Sequence, residues 1–185
     1  PYYLAVTNNY GCHATDSVYV YTYTDPAASV GNDTSVCINT YFRISVQSAA
    51  SISSYRWSPQ NKVSNHTIQN PFVFADSERI YKVVITSTDG CVDSDEVKVS
   101  IYPKPVAGAG PDVGACMGQP ASLQGSGAGT GGFYFWYPST NLSNPAIPNP
   151  VATVTANRTY ALVVSTIYSC KDTDNVNVIL HPDPV

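Results

Sequence analysis

The chain has 185 residues, a net charge of -4 and a pI near 5.1, and its nine Lys and Arg are scattered along the sequence. That distribution excludes the basic patch on which nucleic-acid binding depends. No apolar run approaches the roughly 18 residues of a membrane helix, so no membrane insertion is expected within this stretch.

Helix formers are scarce. Glu occurs only as Glu78 and Glu96 and Met only as Met117, while Thr, Val, Ser, Tyr, Asn and Pro abound. An all-β chain is expected. In chain order, Tyr2, Leu4 and Val6 alternate with polar or small residues, Tyr10-Gly11 makes a hairpin turn, and the returning strand points Val18 and Val20 at a core. Tyr19, Tyr21 and Tyr23 then form a stripe on the opposite face. After Pro26, Ala28 to Asp33 open a longer unit, followed by strands over Tyr41 to Val46, Tyr55 to Trp57 and Phe72 to Phe74. Tyr81, Val83 and Ile85 begin its last hairpin, which turns at Asp89-Gly90 and returns with Val97, Val99 and Ile101 inward. The same order recurs through Pro120 to Gly125, Tyr134 to Trp136, Val151 to Val154, Tyr160 with Leu162 and Val164, and Val176 with Val178 and Leu180.

The recurrence is an internal repeat with an offset of 79 residues, the separation of Cys12 from Cys91 and of Cys91 from Cys170. Cys37 with Cys116, Trp57 with Trp136, Pro59 with Pro138, and Tyr2 with Tyr81 and Tyr160 keep the same register without a gap. Residues 27–105 and 106–185 are therefore read as two copies, and 1–26 as the terminal hairpin of a preceding, truncated one. About seven short strands in each copy, close-set turn residues and one Trp on the third strand predict tandem antiparallel sandwiches of the immunoglobulin type. Trp57, Trp136, Tyr81 and Tyr160 are the expected core aromatics. The closing prolines Pro26, Pro103 with Pro105, and Pro182 with Pro184 make short, stiff joints.

Each full copy holds two cysteines, and the partner of Cys12 is expected upstream. No C-x-x-C or nearby His pair offers zinc spacing, so disulfides and an oxidising compartment are expected. A bond of Cys37 to Cys91 and of Cys116 to Cys170 is preferred because each copy brings two cysteines. The difficulty is that the first turn and the last hairpin of a seven-strand sandwich lie at opposite poles, too far apart to bond. Either the first strand breaks early or pairing crosses copies, Cys37 to Cys170.

Other residues carry weaker signals. Asp33, Asp93 and Asp95 recur as Asp112, Asp172 and Asp174; grouped near a joint their oxygens would suit calcium, although Asp in turns more often bonds backbone. No other cofactor is expected. Gly127-x-Gly129-x-x-Gly132 spells a dinucleotide fingerprint but opens no helix. His13, His66 and His181 are dispersed, and Ser126 has no His partner and no strand-to-helix turn, so no enzyme is expected. Tyr19, Tyr21 and Tyr23 are candidate ligand-facing aromatics, since aromatic faces stack on sugar rings.

Specific stretches resemble the Ig-like or PKD-like repeats of Bacteroidetes surface proteins. They are Ala-Gly-Pro-Asp at 109–112, Gly-Asn-Asp-Thr at 31–34, Trp57-Ser58-Pro59, Asn-Leu-Ser-Asn-Pro at 141–145, and Gly11-Cys12 with Ala14 to Val18. Arg56, Tyr137 and Ser169 depart from the pattern. The resemblance implies an extracellular, bacterial cell-surface setting of the gliding-motility adhesin type, exported by the type IX system with a sorting domain elsewhere. It also marks Ser17, in Asp16-Ser17-Val18, as a candidate O-glycosylation site. The expected role is a structural and adhesive stalk whose partners are neighbouring repeats, surface polysaccharide or another protein. Carbohydrate-binding accessory modules of a secreted enzyme, or the subunit of a self-assembling extracellular fibre, are the alternatives.

Overall fold

A computed structural model describes residues 1–182, so Pro184, named above as a closing proline, lies outside the described residues. The strands are β1 (Tyr2–Thr7), β2 (His13–Val18), β3 (Thr34–Cys37), β4 (Tyr41–Arg43), β5 (Ile52–Ser58), β6 (Phe72–Phe74) and β7 (Arg79–Ser87). They continue as β8 (Val92–Tyr102), β9 (Val113–Cys116), β10 (Pro120–Ser122), β11 (Phe133–Tyr137), β12 (Val151–Thr153), β13 (Arg158–Ser165) and β14 (Lys171–His181). Among the described residues the sole helical element is a 3-10 turn over Gln60–Lys62. Two four-stranded sheets, β3-β8-β7-β5 and β11-β13-β14-β9, are each accompanied by a two-stranded one, β4-β6 and β10-β12, while β1 pairs β2 alone.

Each sequence copy thus contributes six strands where seven were expected, and its large sheet is mixed. β3 runs parallel to β8 and β9 parallel to β14. The missing strand is the opening segment Ala28 to Asp33, which shrinks to one bridge, Ser29 to Gln47, matched by Gly108 to Ser126. The physical reason is that its backbone donors are taken by side chains. Ala28 and Val30 N–H groups donate to the Asp93 and Asp95 carboxylates at 2.7 and 2.9 Å. Gly31 and Gly110, at φ +81° and +78°, then occupy the left-handed region that glycine reaches without steric cost. Beyond them the chain enters the four-stranded sheet.

By its internal contacts the chain divides into two compact units. One comprises Pro1–Asn32, Arg43–Val73 and Ile80–Val97; the other comprises Asp33–Phe42, Phe74–Arg79 and Lys98 onward. In the first, Trp57, Val46, Val73, Tyr81, Val83 and Ile85 are buried. In the second, one cluster draws Ala121 and Ala152 from the small sheet and Trp136, Leu162, Val164, Val176 and Val178 from the large one. Strands facing each other across a shared apolar layer make a two-layer body. All four expected core aromatics, Trp57, Trp136, Tyr81 and Tyr160, are buried. Burial pushes the Tyr160 phenol above its ordinary pKa, with the Arg158 charge acting the other way. Its hydroxyl donates to Thr140 O at 3.1 Å.

The hairpin of β1 and β2 behaves differently. Leu4, Val6, Val18 and Val20 are exposed, not core-facing as the alternation suggested, because no second layer packs on this hairpin. The returning strand also stops at Val18, opposite Tyr2.

Candidate functional site

The feature that distinguishes this chain chemically is a disulfide at the end of β3. Parallel pairing sets Cys37 beside Tyr102, and Ile38 N–H donates to Tyr102 O at 2.9 Å. Asn39, at φ +61°, donates its N–H to Ala75 O at 2.8 Å, and Thr40 Oγ1 donates to Cys37 O at 2.6 Å. Cys170 stands where the β13–β14 hairpin turns back. Thr166 N–H donates to its carbonyl at 2.9 Å, and Ser169, at φ +64°, donates its N–H to Thr166 O at 2.9 Å. Cys37 and Cys170 are bonded, with Cα atoms 5.5 Å apart and 133 residues of separation. Beside them the Tyr102 and Tyr168 rings stack, 3.8 Å between centroids and 4° from parallel. All of these groups belong to the second compact unit.

The preferred pairings, Cys37 to Cys91 and Cys116 to Cys170, are therefore corrected. Cys91, Cys116 and Cys12 are free. The early break after Gly31 sends β3 into the large sheet and carries Cys37 to its far end, away from the β7–β8 turn of its own copy. The crossing alternative is the one formed, and its presence is consistent with an oxidising compartment such as the extracellular space.

The recurrent carboxylates form a second device, a set of clasps that each span 65 residues. Asp93, Asp95 and Asp33 accept from the N–H groups of Ala28, Val30 and Lys98; Asp172, Asp174 and Asp112 accept from those of Ala107, Ala109 and Asn177. Among the described residues no group of three or more His, Cys, Asp or Glu side chains converges on a point. The signal that could have revealed the clasps was present: all three carboxylates recur at the repeat offset.

Two of these carboxyls are held below the ordinary carboxylate pKa of 3.8. For Asp174 the causes are the Ala109 and then the Asn175 backbone N–H; for Asp112 they are the Asn177 backbone N–H and then its side chain. A depressed folded-state pKa means a stabilising contribution that is complete above the unfolded value and vanishes as pH falls through the folded one. Asp174→Asn with Asp112→Asn should therefore lower the urea midpoint at neutral pH and flatten its decline below about pH 4. Urea titrations across acid pH check this; an unchanged acid slope would remove the clasps from the account.

Tyr19, Tyr21 and Tyr23 are exposed, and the first two rings stack at 6.2 Å, but they lie beyond β2 and not on a strand face. Gly127, Gly129 and Gly132 lie in the connection from Ser126 to β11, which contains no helix N-terminus. Ser126 Oγ donates to Gly108 O at 3.3 Å, a structural role. His13 and His181 stand on β2 and β14 and His66 in a loop. Ser17 is exposed on β2, its N–H donated to Asp16 Oδ1 at 2.8 Å. No helix of the described residues is long and apolar enough to cross a membrane.

No family model matches the chain, and no curated protein does. Among solved structures it is similar to the I67–I69 I-band fragment of titin, at 10% identity over 87% of this chain and 67% of that one, with a TM-score of 0.38. It is also similar to extracellular domains 3–5 of Drosophila OTK, at 9% identity over 80% and 58%, with a TM-score of 0.41. The insect immune protein hemolin matches at 10% identity over 84% and 46%, with a TM-score of 0.39. The chain thus spans about half to two thirds of these proteins' lengths. Likenesses this distant carry nothing about activity or partners.

Proposed function

We propose that the chain is a structural and adhesive tandem-repeat segment of a large secreted or cell-surface bacterial protein, its copies at 1–26, 27–105 and 106–185 strung as a stalk. The observation that carries this reading is the Cys37–Cys170 bond, which ties a residue of one sequence copy to a residue of the next. Force applied at the two ends passes from residue 37 to residue 170 through the covalent bond. The 132 residues between them are then shielded from extension. The resemblance to Bacteroidetes surface repeats supports the bacterial, gliding-adhesin setting.

Single-molecule pulling from the termini tests the reading. Under oxidising conditions the shielded segment should contribute no length, whereas reductant should release on the order of 450 Å of additional chain. Equal extension with and without reductant would leave the bond no mechanical role and sink the stalk.

A second reading, carbohydrate binding, is favoured by the exposed, stacked Tyr19 and Tyr21 rings. A glycan array separates the two: selective binding abolished by Tyr19→Ala and Tyr21→Ala supports sugar recognition, and silence across the array supports the spacer.

A further inference from the structure

The free cysteines of the two full copies sit in backbone that already matches the bonded ones. Cys91 occupies the repeat position of Cys170, and Cys116 that of Cys37. At the hairpin, Ser87 N–H donates to Cys91 O at 2.8 Å, as Thr166 N–H does to Cys170 O at 2.9 Å. Cys91 N–H donates to Ser87 Oγ at 3.1 Å, as Cys170 N–H does to Thr166 Oγ1 at 3.2 Å. At the strand end, β9 sets Cys116 beside His181 in the same parallel register that sets Cys37 beside Tyr102. Gly118 N–H donates to Val154 O at 3.0 Å, as Asn39 N–H does to Ala75 O at 2.8 Å. The chain therefore carries one completed bond and both separated halves of another.

The halves are uncovered. Cys170 is fully buried, whereas Cys91 is half-buried; Met117 is 61% exposed where its repeat mate Ile38 is half-buried. The flanking residues point to what covers them. At the completed bond Tyr102 stacks on Tyr168. At the separated halves, His181 holds the repeat position of Tyr102 and Asp89 that of Tyr168. A strand-end half meeting a hairpin half would set imidazole against carboxylate where the two rings lie. Two like halves would instead meet His to His or Asp to Asp. The substitution is complementary only for the unlike pair.

We infer that Cys116 of one copy of this chain bonds Cys91 of a second copy, head to tail, with His181 facing Asp89. The inference rests on reading 27–105 and 106–185 as equivalent units. Such a contact joins two different surfaces, so each copy offers a free half to the next and the copies link into a covalent oligomer, a linear filament or a closed ring. The oxidant is a low-molecular-weight disulfide. The Cys116 thiolate attacks one of its sulfurs and releases one thiol, and the Cys91 thiolate displaces the second. Two protein thiols lose two protons and two electrons while one small disulfide becomes two thiols.

The test uses the 185-residue chain carrying Cys12→Ser, with oxidised and reduced glutathione as the redox couple and non-reducing electrophoresis as the readout. The parent should form a reductant-sensitive ladder. Cys91→Ser and Cys116→Ser variants should each remain monomeric alone and form one dimer when mixed, with the Cys91–Cys116 peptide recovered by mass mapping. Asp89→Lys should cut the mixed-dimer yield by roughly tenfold, through loss of the carboxylate that faces the imidazole. Tryptophan fluorescence of every variant verifies that the chain is folded. Dimers from either single variant alone, or monomer in both the mixture and the parent, overturn the inference. The latter result combined with shielded extension on pulling would leave the stalk reading intact.

Discussion

Replacing Cys37 and Cys170 together with serine should lower the stability of the chain by about 5 kcal/mol. The bond closes a loop of 133 residues, and the entropy removed from the unfolded ensemble grows with the logarithm of loop length. A double substitution is required, because a single one would leave a thiol free to exchange with Cys116 or Cys91. Native-state contacts change little on substitution, since the hydrogen bonds that shape both turns involve backbone and neighbouring side chains. Urea unfolding of the oxidised parent and the double variant, with the parent repeated under reductant, measures the difference. The reduced parent should fall with the double variant. A loss below about 1 kcal/mol would mean that the bond constrains little in the unfolded chain.

Trp136→Ala should cost about 3–5 kcal/mol, the usual range for deleting a fully buried aromatic. Small bodies of this size carry net stabilities of only about 5–15 kcal/mol, so the second unit should lose cooperative unfolding. The ring is fully buried in a cluster with Ala121, Leu123, Ala152, Tyr160 and Leu162. Its indole N–H donates to Ile147 O at 3.1 Å, as Trp57 donates to Ile68 O at 2.9 Å, each across a spacing of 11 residues. Trp136→Phe keeps most of the apolar volume but leaves that carbonyl without its donor. It should cost less, about 1–3 kcal/mol. Hydrogen exchange of the β13 and β14 amides, with urea unfolding beside it, separates the variants. Near-parental protection in Trp136→Ala would show that the indole is not the organising element of this core.

The periodic part of the architecture was readable because alternation and burial express the same physics. Val83 and Ile85, and Val97 and Val99, alternate in the sequence and are buried in the structure. The same rule misjudged Val18 and Val20. Alternation states which residues share a face, but burial needs a second layer, and the β1–β2 hairpin has none. The opening strand failed for a different reason. Ala28 to Asp33 has strand-compatible residues, yet two of its N–H groups are consumed by carboxylates 65 residues away, a pairing that local propensity does not register. The recurrent aspartates fit calcium ligands or turn residues by type, yet each carboxylate accepts from the backbone of a distant segment.

By itself, the sequence determined the repeat, its strand-built character and the buried tryptophans. These properties follow from composition and from spacing, which survive without knowledge of how strands are arranged. Cysteine connectivity was decided by tertiary structure alone. Bonding requires Cα atoms within about 7 Å, and that proximity depends on β3 leaving the opening segment to run parallel to β8. One glycine turn and two carboxylate clasps set the path of β3, at whose end Cys37 bonds Cys170 with their Cα atoms 5.5 Å apart.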